Sequence, residues 1–326
     1  MQNIVLLGAT GNLGEQALEI IRHYPHLFRV AGVSAHSRES ELKKLAEEFE
    51  CSAVLSDPEQ LVEESIDHLV VLDHGLGSLK AVLKALTLKK RVSIANKELL
   101  IVHGEEIVCL AQEQKAELIP LDSEHNALFQ ALRGEKMSEV RRVIITASGG
   151  PFRDRSWEDL KNVTVEEVLK HPTWKMGKKT TVDSATLVNK AFEVIETHHL
   201  FGLPYEKIEV RLHPQSIIHA VVEFQDGNSK IIASAPDMKI PLAYALFYPE
   251  RAPESVSAKT PFSYDQPLIL EKLEKGRFPC FDYVLELARS SPELLPTIIK
   301  NDQQAIDDFI AGKICFTEVY ESLRQL

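Results

Sequence analysis

Through the first 121 residues, short apolar runs alternate with amphipathic stretches. The runs are Ile4–Leu7, Phe28–Ser34, Ser52–Leu55, Leu69–Leu72, Val92–Ala95 and Leu118–Leu121, all of strand length. Between them apolar residues recur three and four positions apart, as in Leu13, Ala17, Leu18 and Ile21, and again in Leu79, Val82, Leu83 and Leu86. That spacing is one face of a helix. Helices alternating with fully apolar strands predict a doubly wound parallel sheet.

The pattern changes after Leu121. A strand at Val140–Ala147 runs into the loop Ser148-Gly149-Gly150-Pro151-Phe152, and a polar stretch follows to Val182. One long helix is predicted from about Ser184 to His199, then strands at Ile208–Leu212 and Ala220–Phe224. Asp226-Gly227 reads as a hairpin turn into Lys230–Ser234. Pro249, Pro253, Pro261 and Pro267 mark an extended linker, and from Glu271 the pattern is helical again. The fold class is α/β: a Rossmann-like parallel sheet over 1–121, an α+β domain over 122–248, a linker over 249–270 and a short helical region over 271–326.

A net charge of −11 argues against a nucleic-acid partner, which needs a basic face. It leaves room for a locally basic pocket that takes a phosphorylated small molecule. No apolar run approaches the length of a membrane span, so no membrane partner is expected. The chain enters a strand at once, at Asn3–Leu7; no signal peptide and a cytoplasmic location are expected. Cys51, Cys109, Cys280 and Cys315 lack paired spacing and read as buried, reduced thiols rather than a zinc site.

Gly8-Ala9-Thr10-Gly11-Asn12-Leu13-Gly14 lies between the first strand and the first helix. Glycines there permit a tight turn and let a pyrophosphate approach the backbone at the helix N-terminus. An NAD site usually places an acid at the end of the second strand. Here Ala35-His36-Ser37-Arg38 carries none before Glu39, and His36, Ser37 and Arg38 suit a 2′-phosphate, so NADP is favoured. Ala95-Asn96-Lys97-Glu98 ends another strand at the same sheet edge, which points Asn96 and Lys97 to the nicotinamide end or the substrate.

Asp122-Ser123-Glu124 follows the last strand of this half, where open α/β sheets place their sites. In an extended segment Asp122 and Glu124 point to one side. Asn189, Glu193 and Glu196 share one helix face beside Lys190. Glu196 reads as solvated, whereas Glu193 with Asp122 and Glu124 makes an oxygen-rich set for Mg²⁺ or Mn²⁺. Ser148 with Gly149-Gly150, and Ser184 read as near a helix start, offer hydroxyls and amides to a phosphate. His171-Pro172-Thr173-Trp174-Lys175-Met176-Gly177 has the make-up of a closing lid. His171, His213 and His219 can each be structural, His219 above all, since it sits on an apolar strand.

Together these stretches resemble the 1-deoxy-D-xylulose 5-phosphate reductoisomerase family. The matching runs are GATGNLG, ANKE, PLDSEHNA, TASGGPF, HPTWKMGKK, TVDSATLVNKAFEVIE, LHPQSIIH and PDMKIPLAYAL, over about residues 4–248. The resemblance implies an NADPH- and divalent-metal-dependent isomeroreductase that makes 2-C-methyl-D-erythritol 4-phosphate, with a rearrangement at a polarised carbonyl followed by hydride transfer. It also implies a homodimer. By position, Asp122, Glu124 and Glu193 match the metal ligands. Ser123, Ser148, His171, Trp174, Ser184, Asn189, Lys190 and His219 match substrate contacts, and Lys97 and His171 join the catalytic set. Gly8, Thr10, Gly11, Asn12, Leu13, His36, Ser37, Arg38, Asn96, Glu98, Met176, Gly177 and Met238 match the NADPH side. Two stretches depart from the family pattern. Asp73-His74-Gly75-Leu76 stands where a small apolar run is expected, and Lys300–Gln304 stands where an Asn-Ala-Ala-Asn-Glu-like run is expected, in a C-terminal region that reads as shortened. The alternatives are another NADPH-dependent oxidoreductase acting on a related phosphorylated aldehyde, and a catalytically silent nucleotide-binding regulator.

Overall fold

The computed structural model describes residues 1–170, 177–258 and 266–325. The chain forms two compact units, Met1–Phe129 with Asp237–Thr260, and Gln130–Pro236 with Pro261–Leu326.

The first unit alternates β1 (Gln2–Leu7), α1 (Asn12–His23), β2 (Phe28–Ser34), α2 (Glu39–Phe49), β3 (Ser52–Val54), β4 (His68–Val71), α3 (Leu79–Thr87), β5 (Arg91–Ile94), α4 (Lys97–Gln114), β6 (Leu118–Pro120) and α5 (Ser123–Leu132). Its six strands lie in the order β3-β2-β1-β4-β5-β6, and every pairing is parallel. The apolar runs of the sequence are these strands, displaced by a residue or two at their ends. Because helices cover both faces, the strands read as continuous rather than alternating apolar runs.

Ile4, Leu6, Leu18, Ile21, Val33 and Val70 form the core of this unit. The helix Lys239–Phe247 adds Leu242, Ala243, Ala245 and Leu246 to it. Each of the two leucines contributes about 1.5–3 kcal/mol by burial. This helix belongs to the first unit, although its sequence lies within the expected 122–248 domain.

The second unit contains β7 (Val140–Ala147), α6 (Val165–Val168), α7 (Lys178–Thr186), α8 (Val188–Phe201), β8 (Ile208–Leu212), β9 (Ile218–Phe224) and β10 (Ser229–Ala233). With Lys239–Phe247 as α9, the chain continues through β11 (Glu271–Lys272), α10 (Pro279–Ser290), α11 (Leu295–Ile310) and α12 (Glu318–Leu323). The second sheet has the order β10-β9-β7-β8-β11 and is mixed, with β7 parallel to β8 and antiparallel to β9. Gly227, at φ +89°, makes the turn between β9 and β10 as its sequence predicts. Phe152, Val182, Phe309 and Phe316 close a core between the loop after β7, α7 and the C-terminal helices.

The helix expected from Ser184 to His199 is two helices. Leu187 sits in the left-handed region at φ +62° and ends α7. A branched side chain there costs about 1–2 kcal/mol, and the burial of Leu187, 2 % exposed, offsets it. The thiols also depart from expectation: Cys280 is buried and Cys51 and Cys315 are half-buried, but Cys109 is exposed.

Candidate active site

The glycine turn is tightly closed. Gly8, at φ +80°, follows β1, and the Gly11 amide bonds the Gly8 carbonyl at 3.0 Å to close the turn. A Cβ on Gly14 would lie 2.3 Å from the Ala9 carbonyl oxygen, so only glycine lets α1 start this close to the strand. Gly11 caps α1 without any side-chain hydrogen bond, which leaves the Asn12 and Leu13 amides to a ligand. These observations fit a dinucleotide pyrophosphate. His36, Ser37 and Arg38 are exposed just beyond β2. Arg38 donates to the Thr10 carbonyl at 2.6 Å and pairs with Glu41 at 3.3 Å, tying this loop to the glycine turn. Met238 caps α9 and is half-buried.

Asn96 caps α4, with its Oδ1 accepting the Leu99 N–H at 3.0 Å. Lys97 and Glu98 follow in the first turn of α4, and Lys97 forms an ion pair with Asp122. Asp122 and Glu124 do not share the face of an extended strand. Ser123 starts α5, the Asn126 amide bonds the Asp122 carbonyl at 2.8 Å, and Glu124 sits in the first turn. Asp122 Oδ1 accepts the Ser123 N–H at 2.9 Å, and the Ser123 hydroxyl donates to Glu124 at 2.5 Å. His125, fully buried and not singled out from the sequence, has Nδ1 3.7 Å from Asp122.

In the second unit Glu193 is 2 % exposed on α8. Asn189 donates to one of its oxygens at 2.5 Å and Lys190 forms an ion pair with the other. A carboxylate this deeply buried persists because both oxygens are satisfied. Glu196 is also buried, at 1 % exposed, and is not a solvated face. Ser184 lies in the last turn of α7 rather than near a helix start, because the break at Leu187 separates it from α8. Asn189 and Lys190 are instead in the first turn of α8. The glycine loop after β7 nevertheless meets Ser184. Gly150, at φ +65°, approaches so closely that a Cβ would lie 2.7 Å from the Ser184 carbonyl oxygen. The Ser148 hydroxyl accepts the Gly150 N–H at 3.2 Å in the same loop.

His219 is 4 % exposed on β9 and pairs with the Ser234 hydroxyl at 3.0 Å. His213 is structural. Its Nε2 accepts the Ile218 N–H at 3.0 Å, so Nδ1 carries the proton that it shares with the Ile269 carbonyl at 2.5 Å. Burial lowers its pKa. Gly177 caps α7 and is exposed, and His171, Trp174 and Met176 lie outside the described residues.

The carboxylates supply the hard oxygen donors that Mg²⁺ or Mn²⁺ prefers. Lys97 balances the charge of Asp122 in the first unit, and Lys190 that of Glu193 in the second.

The family model for 1-deoxy-D-xylulose 5-phosphate reductoisomerase matches residues 4–70, and models of the C-terminal domain match 118–201 and 233–326. The reductoisomerase of Caldanaerobacter subterraneus subsp. tengcongensis is 38 % identical over 350 residues, covering 100 % of this chain and 91 % of its own. The chain belongs to the 1-deoxy-D-xylulose 5-phosphate reductoisomerase family. The Bacillus subtilis reductoisomerase is likewise 38 % identical, over 353 residues and 92 % of its length. A solved DOX-P reductoisomerase in complex with NADPH, fosmidomycin and magnesium superposes with a TM-score of 0.91 at 31 % identity, covering 100 % of this chain and 90 % of that one. That solved structure thus shares the fold of this chain over nearly its whole length.

Proposed function

We infer that Asp122, Glu124 and Glu193 hold the divalent metal of a reductoisomerase. The chain converts 1-deoxy-D-xylulose 5-phosphate to 2-C-methyl-D-erythritol 4-phosphate, with NADPH as reductant, and serves isoprenoid precursor synthesis. The observation that carries the ligand assignment is Glu193, a nearly inaccessible carboxylate with a lysine and an asparagine arranged around it.

When bound, the divalent ion supplies Lewis acidity toward the substrate carbonyl, and NADPH supplies the hydride. The remaining work falls to the side chains. Lys97 and Lys190 hold Asp122 and Glu193 in place through their ion pairs. Ser148, the amides of Gly149 and Gly150, Ser184, Asn189 and Lys190 offer the donors that a phosphate needs. Phosphate binding away from the reacting carbons provides energy for lid closure over the substrate. His171, Trp174 and Met176 enter this proposal on the family resemblance alone. The glycine turn holds the pyrophosphate, with His36, Ser37 and Arg38 at the 2′-phosphate and Glu98, Gly177 and Met238 along the cofactor. Ser123 and His219 complete the substrate side. We further propose a cytoplasmic homodimer that also accepts Mn²⁺; sedimentation of the purified chain tests the dimer. Among the described residues no helix is long and apolar enough to cross a membrane.

The deciding experiment follows NADPH oxidation by absorbance on adding 1-deoxy-D-xylulose 5-phosphate and Mg²⁺. Turnover that a chelator abolishes and Glu193→Gln lacks is expected. Turnover that persists in either control overturns the ligand assignment. Equal turnover of an unphosphorylated analogue overturns the phosphate site.

A further inference from the structure

The ligand crevice of a doubly wound sheet opens where the strand order reverses, here between β1 and β4. The chain leaves β1 through Gly8 and β4 through Leu72 and Asp73. These two exits touch: a Cβ on Gly8 would lie 2.7 Å from the Asp73 amide nitrogen and 2.8 Å from the Leu72 carbonyl carbon. Asp73 therefore stands beside the glycine turn, in the wall of the nucleotide crevice, and it is half-buried.

Its carboxylate is held from two sides. The Ser78 hydroxyl donates to Oδ2, and Asn96 Nδ2 donates to Oδ1 at 3.0 Å. The amide of Asn96 is meanwhile committed to the scaffold. Its second N–H goes to the Gly75 carbonyl at 2.8 Å, its oxygen caps α4, and the residue is 0 % exposed. Asn96, read from the sequence as a cofactor contact, thus acts here as the residue that positions Asp73. A carboxylate accepts about four hydrogen bonds, and Ser78 and Asn96 fill two of those places.

We propose that Asp73 is a further cofactor-binding residue, its carboxylate accepting a hydrogen bond from a hydroxyl of the nicotinamide-side ribose. The side follows from the sheet. The β1–β3 half takes the adenosine moiety, and its usual ribose-binding acid, at the end of β2, is absent before Glu39. β4 opens the other half, so an acid at its end faces the other nucleotide. Burial raises the pKa of Asp73, while the Ser78 and Asn96 bonds and neighbouring His74 favour the ionised acceptor.

The test is calorimetric titration of the full chain with two probes. NADPH carries both riboses, and adenosine 2′-phosphate 5′-diphosphate lacks the nicotinamide riboside. Losing a hydrogen bond to a charged group weakens binding by about ten- to hundredfold. Asp73→Asn is expected to lose that much affinity for NADPH and none for the fragment. Asp73→Ala should show the same split; if it fails to fold, by circular dichroism and urea midpoint, the near-isosteric Asp73→Asn carries the test. NADPH binding that is unchanged or tighter in Asp73→Asn overturns the proposal, as does equal loss for both probes. A parent chain that binds neither probe would overturn the dinucleotide reading on which the proposal rests.

Discussion

Lys179→Met removes a cation that two buried carboxylates share. Lys179 lies in the first turn of α7, and its ammonium reaches Asp183 at 2.7 Å and Asp302, on α11, at 2.5 Å. The side chains of Asp183 and Asp302 are 6 % and 1 % exposed, that of Lys179 27 %. Burial, with repulsion from Asp183, pushes Asp302 up to about 8 against the pull of Lys179. Burial alone would lower the pKa of Lys179, but the two carboxylates outweigh it and raise it. Methionine keeps most of the apolar stem and drops the charge. Breaking a buried ion pair from one side costs about 3–5 kcal/mol.

The pH dependence has a definite sign. The folded pKa of Asp302 lies above its ordinary value of 3.8, so its contribution to stability is complete below that value and is lost as pH rises through about 8. Without Lys179 the folded pKa moves higher still and the loss extends to higher pH. The variant is therefore expected to approach the parent near about pH 4 and to fall progressively further behind it as pH rises above about 8. Trp157, with its ring 5.6 Å from that of Phe316 in the same core, reports the urea transition. Adding Asp302→Asn to Lys179→Met should recover part of the loss at high pH. A deficit under about 1 kcal/mol at high pH, one independent of pH, or no recovery in the double variant would refute the shared-cation argument.

Three further outcomes are expected. Gly150→Ala strains a backbone at φ +65° by about 1–2 kcal/mol and drives a methyl to 2.7 Å from the Ser184 carbonyl oxygen, so KM for the phosphorylated substrate should rise more than kcat falls; an unchanged KM counts against the Gly150–Ser184 phosphate site. The folded pKa of His213 lies below its ordinary 6.5, so its stabilising contribution is present above 6.5 and declines as pH falls through the lower folded value; exchange of the Ile218 amide, corrected for intrinsic rate, should accelerate over that range, and constant protection would refute the tautomer. Glu193→Gln should weaken Mg²⁺ binding, followed by calorimetry, about a hundredfold or more, and an unaltered affinity would remove Glu193 from the ligand set.

Local signals carried much of this protein. The glycine turn, the six parallel strands and the Asp226-Gly227 hairpin follow from spacing of a few residues, because a strand buried on both faces and a left-handed turn each restrict composition at the position itself. The motifs of the site were legible for the same reason. The surroundings of those motifs were not. Apolar periodicity runs unbroken through Leu187, so only packing reveals that the helix stops there and that Ser184 and Asn189 lie on different helices. Lys179 and Asp183 are visible as a helical pair four apart, but Asp302 is 123 positions from Lys179 and joins them only in the folded unit. Helix α9 is apolar on nearly every side, which announces burial without naming the sheet that buries it. The bonds of Asn96 to Asp73, Gly75 and Leu99 were likewise invisible in its motif. Composition at a position limits which backbone and which chemistry can occur there; which distant group satisfies a buried charge or amide is settled by tertiary contact, since desolvation makes a polar group depend on whichever partner the fold brings to it.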